Sequence, residues 1–426
     1  MATRALASAV VTLLPLLPTV ALSAGLEPAE QALVAAVDAG REAALDLLAR
    51  SVDVQSATEN HDGVRRVADL YAAELRPLGF ETQFVDQQAV GRAGHLVAEH
   101  KGTQGKRLLL IGHLDTVLQG EPFRRDGHRA FGSGVSDMKG GNAVAIAALR
   151  ALHRTGALAH RQVIVVFTGD EEDTGAPYGT SRAALLDAAR RSDAALAFEG
   201  YEPGTAVVGR RGFSSWRLEV TGSQGHSSTI FGEARGSGAI FEAARILNAF
   251  HDELREPYLS YNPSVIVGGT DVKYDPVGFS GTATGKANVV PRSVVVAGDL
   301  RFLTRDQLLR AREKMRAIAE KHLPQTSSAL SFEDGMPSME PTDANRALLQ
   351  ALDRCSQDLG FGPLQAHDPS KRGAGDVSFV GTIVPGLDGL GALGENEHAP
   401  GEWVDLDALP MQTKRAALLM QRLFSR

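Results

Sequence analysis

Apolar and polar positions divide this chain into stretches with different rhythms. Between Leu108 and Gly200, short apolar runs alternate with helical patterns. Arg107 to Leu114 (RLLLIGHL), Gln162 to Thr168 (QVIVVFT) and Ala194 to Phe198 predict buried strands, with helices at Gly141 to Leu152 and Tyr178 to Arg190. Strand–helix–strand alternation at this spacing predicts an α/β layer with a mainly parallel sheet. Ahead of it, Pro28 to Leu48 reads as one amphipathic helix. Gly63 to Arg76 reads as another, stopped by Pro77 and Gly79.

Near Gly209 the rhythm changes. Ser214 to Thr221 (SSWRLEVT) alternates like a half-exposed strand, and Gly238 to Leu254 follows as a helix. Ser264 to Val267 and Ala287 to Arg301 read as strands, Arg305 to His322 as a helix and Ala329 to Phe332 as a strand. That βαββαβ order describes a two-layer α+β insert of about 125 residues. From Pro341 the earlier alternation resumes, with helices at Asn345 to Leu359 and Leu409 to Leu423. The predicted architecture is therefore one α/β domain, residues 25–208 and 337–426, interrupted by a smaller α+β domain at 209–336. No internal repeat or low-complexity tract is evident.

The first 24 residues stand apart from this pattern. Arg4 precedes a mostly apolar stretch from Ala9 to Val20, and Ala21-Leu22-Ser23-Ala24 offers small residues for cleavage. The stretch is shorter than the ~20 residues of a membrane span and is interrupted by Pro15 and Pro18. A cleaved signal peptide is expected, leaving a soluble protein in the periplasm or outside the cell.

Composition narrows the chemistry. The 426 residues carry 44 Lys+Arg against 51 Asp+Glu, a formal charge of −7, which excludes a basic nucleic-acid footprint. A single cysteine, Cys355, allows no intramolecular disulfide and no thiolate cluster. Any metal must be held by His, Asp and Glu.

Five segments place such side chains just beyond apolar strands or in neighbouring loops. His113-Leu114-Asp115 follows LLLI; taken singly it suits a structural histidine as well as a metal ligand. Asp137 lies among glycines before a helix, where an ordinary cap is the competing reading. Glu171 and Glu172 follow VIVVFT, and adjacent carboxylates repel one another unless something positive sits nearby. Glu199 ends the next strand, and His398 lies in the polar loop Glu395-Asn-Glu-His-Ala-Pro400. Two histidines and several carboxylates at corresponding strand ends point together to a metal site.

Taken in order, HLDTV, GSGVSDMKGG, GDEE, FEG, GSQGHSS, NVVP and ENEHAP, from His113 to Pro400, resemble the di-zinc exopeptidases and deacylases. That family includes bacterial glutamate carboxypeptidases, acetylornithine deacetylase, succinyl-diaminopimelate desuccinylase and aminoacylase. The segment from Pro122 to Asn142 is most similar to the glutamate carboxypeptidase branch. The resemblance implies two Zn2+ per subunit, with Co2+ a possible substitute. His113 and Glu199 would hold one ion, His398 and Glu172 the other, and Asp137 would bridge them. It also implies that Glu171 is the general base, that Asp115 orients His113, and that a cis peptide follows Asp137.

In dimeric relatives a histidine matching His226 reaches the partner's site, so the insert is expected to be a lid and dimerisation domain. Asn288 matches a residue that binds the substrate's carbonyl or carboxylate. Arg301 matches a carboxylate-binding arginine, with a strand-end salt bridge as the equal alternative. The loop Arg372-Gly373-Ala374-Gly375-Asp376 matches one that faces the substrate carboxylate. Two departures, Gly375 for Thr or Ser and Met336 for a basic residue, weaken a glutamate-specific reading. The implied activity is hydrolysis of an amide next to a free carboxylate in a small peptide or N-acyl amino acid, by a carboxypeptidase or a deacylase. Glu199, where aminopeptidase and dipeptidase relatives often carry Asp, favours the carboxypeptidase and deacylase side. A non-catalytic binding homologue would be expected to have lost ligands or the base, and this chain has kept them.

Overall fold

A computed structural model describes residues 25–425; the expected signal peptide, residues 1–24, lies outside the described residues. The central sheet has six strands in the order Glu81–Gln87, Arg92–His100, Val163–Thr168, Leu108–His113, Ala194–Ala197 and Gly386–Leu387. The last four strands pair in parallel, and the first two add antiparallel to one edge. Leu108–His113 and Val163–Thr168 are buried at every position, as strands covered on both faces must be.

Register gathers the chemistry. His113 lies beside Thr168, and Ile111 beside Ala197. The segments holding His113, Glu171, Glu172 and Glu199 therefore leave the sheet side by side at its carboxyl edge, where sites form in α/β folds. The helix Gly141–Arg154 packs closely under this edge. A Cβ on Gly141 would stand only 1.9 Å from the Phe198 carbonyl oxygen, so only glycine permits that approach.

Chain segment 212–334 builds a four-stranded antiparallel sheet, ordered Ser260–Gly269, Ser293–Phe302, Gly212–Gly222 and Thr326–Asp334. Helices Gly238–Glu253 and Arg305–Ala319 pack on one face around Trp216, Leu218, Ile246, Phe250, Val296 and Met315. This apolar cluster is separate from the larger one around the central sheet. The two crossing segments run together, with Arg210 and Met339 exchanging backbone hydrogen bonds at 2.9 and 3.0 Å.

Several boundaries differ from expectation for physical reasons. The single N-terminal helix is two, Pro28–Ala39 and Arg41–Asp53, parted at Gly40. The expected helix at 178–190 breaks at Arg182, whose guanidinium is buried between Asp170 and Asp376. Pro291 parts the expected strand 287–301 into Val289–Val290 and Ser293–Phe302, leaving Ala287 and Asn288 outside either strand. The insert also carries an unexpected hairpin, Asp271–Asp275 with Ser280–Thr284, added to the βαββαβ order. No helix among the described residues is long and apolar enough to cross a membrane.

Candidate metal centre

Asp137 sits in a turn, Val135–Gly140, whose following peptide Asp137–Met138 is cis, as the resemblance implies. Its carboxylate stands between two imidazoles. Oδ1 lies 3.0 Å from Nε2 of His113, and Oδ2 lies 2.9 Å from Nε2 of His398. Each imidazole faces a second carboxylate: Glu199 is 3.7 Å from His113, and Glu172 is 3.3 Å from His398. Donor atoms of His113, Asp137 and Glu172 lie within 4.8 Å of one another.

Ionisable groups crowd together here, and burial and neighbouring charges shift their proton affinities. Burial, and then the charge of Asp137, push the Glu199 carboxyl up to about 8. Burial also raises Glu171 well above the usual carboxylate range, with Glu199 adding to it. Burial alone would raise Asp137, but hydrogen bonds from His113 and His398 outweigh it and hold this carboxyl low. Hydrogen bonds to Asp137 and Glu172 hold the His398 cation up to about 11. Oε1 of Glu172 is buried without a hydrogen-bond partner. A buried lone pair left free, amid carboxylates that repel one another, fits divalent cations held by nitrogen and oxygen donors.

Asp115 meets the second nitrogen of His113, chiefly through its main chain. The His113 Nδ1 lies 3.0 Å from the Asp115 main-chain carbonyl, while the Asp115 carboxylate is farther, at 3.5 Å. That carboxylate also accepts the N–H groups of Glu171 and Glu172, both at 3.1 Å, and the Thr58 hydroxyl at 2.7 Å. It fixes the loop that carries the acidic pair. The Glu171 carboxylate accepts no hydrogen bond from any described residue, which leaves a half-buried carboxylate free to take a proton beside the cluster.

The remaining expected residues lie elsewhere. His226 is exposed in the insert, its Nδ1 2.8 Å from the Ser228 hydroxyl, and a short ribbon pairs it with Val289 next to Asn288. Among the described residues, no contact of His226 or Asn288 reaches the metal cluster. Arg301 pairs with Asp299 at 2.8 Å, the salt-bridge alternative, and lies over the Phe213 ring. The backbone of Met336 accepts the Phe213 N–H at the domain junction.

Gly373 and Gly375 frame an arginine that the sequence pattern did not reveal. Arg210 is buried and pairs with Asp388 at 2.6 Å, and its Nη1 donates to the carbonyls of Gly373 and Ala374. Its Nη2 has no partner. A Cβ on Gly375 would press within 3.1 Å of the guanidinium carbon, so glycine leaves room for this cation. Asp388 also accepts the Glu199 N–H, which joins Arg210 to the cluster. The only signal in sequence was Gly209-Arg210-Arg211-Gly212, an arginine pair at the domain junction.

The model of Peptidase family M20/M25/M40 matches residues 109–422, most of the chain and every ligand described above. The chain belongs to this family. It is a hydrolase of the metallopeptidase class, and its relatives divide between peptidases and deacylases. Carboxypeptidase G2 of Pseudomonas sp. strain RS-16 is 25% identical over 391 residues, 89% of each chain. A succinyl-diaminopimelate desuccinylase of Methylobacillus flagellatus is 28% identical over 383 residues, covering 85% of this chain and 93% of its own. Among solved structures, aminopeptidase PepT of Bacillus cereus superposes with a TM-score of 0.71 at 17% identity, over 90% of this chain and 98% of its own. YXEP of Bacillus subtilis, a dinuclear metal-binding peptidase of family M20, gives 0.62 at 16% identity, over 91% and 99%. Both structures share the fold of this chain.

Proposed function

We propose that this protein is an exported, zinc-dependent exopeptidase that cleaves the amide next to a free carboxylate and releases a C-terminal amino acid. The observation that carries the reading is the Asp137 carboxylate set between His113 and His398, with unpaired Glu171 beside it. His113, Glu199 and Asp137 would hold one cation, and His398, Glu172 and Asp137 the other. Two bound zinc ions would supply Lewis acidity for the amide carbonyl and the attacking water. The chain's own groups do the rest. Glu171 accepts a proton from the attacking water and delivers it to the leaving nitrogen. Asp115 holds the Glu171 backbone in place for both transfers.

Arg210 supports the free-carboxylate part. Its unpaired Nη2 belongs to a planar, two-pronged donor suited to a carboxylate. Arg210→Lys keeps the charge facing Asp388 but loses the fork. It is expected to raise KM about tenfold for substrates with a free terminal carboxylate, with a smaller change in kcat. Kinetics on a blocked dipeptide and its C-terminal amide check this; an equal effect on both substrates would remove Arg210 from the carboxylate site.

The second reading, an N-acyl-amino-acid deacylase, draws on the desuccinylase relatives, which carry out related amide hydrolysis. An activity screen with zinc decides between them, using N-acyl amino acids, folate-type glutamate conjugates and dipeptides with varied C-termini. Release of C-terminal amino acids from blocked dipeptides, with little turnover of simple acyl amino acids, is the expected pattern. The reverse would favour the deacylase.

The proposal includes a homodimer formed through the insert, where Ile240, Phe241 and Ile266 are exposed on a helix and an edge strand. If His226 completes the partner's site, mixing Glu171→Gln with His226→Ala subunits leaves one intact site per mixed dimer. Random exchange then restores roughly a quarter of wild-type activity. No recovery after verified exchange would place His226 outside the partner's site. Export is tested by fractionating cells and sequencing the mature N-terminus, expected just after Ala24.

A further inference from the structure

Asp137 and His398 lie on loops far apart in sequence, yet they meet at 2.9 Å. We infer that Glu402 is the positioning residue that sets this meeting, fixing the turn around Asp137 against the loop carrying His398 and so presetting the second cation's half-site. The inference rests on the two-cation reading above, in which that half-site is His398, Glu172 and Asp137.

Glu402 is 5% exposed and touches none of the reacting groups. Its Oε2 accepts the Gly134 N–H at 2.7 Å, and its Oε1 accepts those of Ser136 and Asp137 at 2.7 and 2.9 Å. Three backbone donors converging on one carboxylate make a fixed anion nest. Here the anion comes from the other ligand loop. The Glu402 carbonyl accepts the Gly132 N–H at 3.3 Å, so main chain and side chain clasp the same turn. Glu402 leads directly into the strand Trp403–Asp405, which pairs with Arg129–Phe131 on one side and Gly394–Glu395 on the other. The His398 loop is thus a hairpin connection anchored through Glu402.

That loop needs an anchor. Asn396 and His398 both adopt left-handed backbone conformations, φ 63° and 62°, which are uncommon for residues other than glycine. A second tie, the Ser136 hydroxyl donating to Glu397 at 3.2 Å, joins the same two loops from the exposed side. His113, in contrast, is carried by a fully buried central strand and does not depend on this hairpin. The first half-site therefore keeps its own support at His113 and Glu199 and shares only Asp137 with the Glu402 clasp, whereas the second relies on Glu402 for both Asp137 and His398.

Glutamine at 402 keeps the shape but offers one acceptor oxygen, and its NH2 faces a backbone N–H. Aspartate keeps the charge on a shorter arm. The test is calorimetric titration of the metal-stripped full chain with Zn2+ alone, for wild type, Glu402→Gln and Glu402→Asp. Wild type should take two ions. Glu402→Gln should bind the weaker-held second ion about 10- to 100-fold less tightly, with a clearly smaller change for the first. Glu402→Asp should fall between, and it carries the comparison if the glutamine variant does not fold. A merely structural role would weaken both ions alike, so equal losses overturn the inference, as do unchanged affinities for both. A wild-type chain that takes fewer than two ions overturns the two-cation reading itself, and this inference with it.

Discussion

Glu171→Gln should bind its metal normally and turn over substrate roughly 100- to 10,000-fold more slowly than wild type, the usual contribution of a positioned general base. The expectation follows from how this side chain is held. The strand Val163–Thr168 delivers it to the carboxyl edge of the sheet, and the Asp115 carboxylate clamps its N–H and that of Glu172. Behind the loop, Arg182 binds Asp170 and Asp376, while Asp170 accepts the Gly175 N–H and the Ser181 hydroxyl. The backbone is tied at several points, but the Glu171 carboxylate itself makes no hydrogen bond within the described structure. Burial, and then Glu199, raise its proton affinity. Glutamine preserves volume and these backbone ties but cannot accept the proton. KM should therefore change little while kcat collapses. Turnover within tenfold of wild type, at unchanged metal content, would assign the base elsewhere.

Asp137→Asn should cost the most. Its two carboxylate oxygens are divided between His113 and His398, so the amide can serve only one side as a ligand. The amide nitrogen would face the other imidazole and replace an anion next to a positive site. Metal content is expected to fall from two ions per chain to one or none, and activity to fall at least 1,000-fold, because both ions and the oriented water depend on this carboxylate. Added zinc should restore little. Elemental analysis with kinetics in excess zinc checks it; two tightly held ions in the variant would remove Asp137 from the bridging position.

The sequence reading reached the centre of the fold because its strands are apolar throughout, a signal that survives without knowledge of partners. Leu108–His113 and Val163–Thr168 are of this kind, and the ligands follow directly from their ends. The edge pair Glu81–Gln87 and Arg92–His100 mixes polar and apolar positions, so no clear period marks it. The hairpin Asp271–Asp275 with Ser280–Thr284 is exposed and rich in small polar residues, which conceals it in the same way. Arg210 and Glu402 were invisible for another reason. Their meaning lies in contacts made across the fold, Arg210 with Asp388 and Glu402 with the turn at Gly134 to Asp137. A charged residue destined for burial looks, in sequence, like any surface charge. Asp115 shows the same limit at short range: its place beside His113 was legible, but its carboxylate serves the Glu171 loop.

The most direct test of the whole account is to strip the purified chain of metal and follow peptide hydrolysis as zinc is returned. The account predicts no turnover without metal, with activity rising to its full value as two zinc ions bind per chain. Full activity in a chain shown to contain no metal, or a maximum reached without any ion bound at His113, Asp137 and His398, would contradict it.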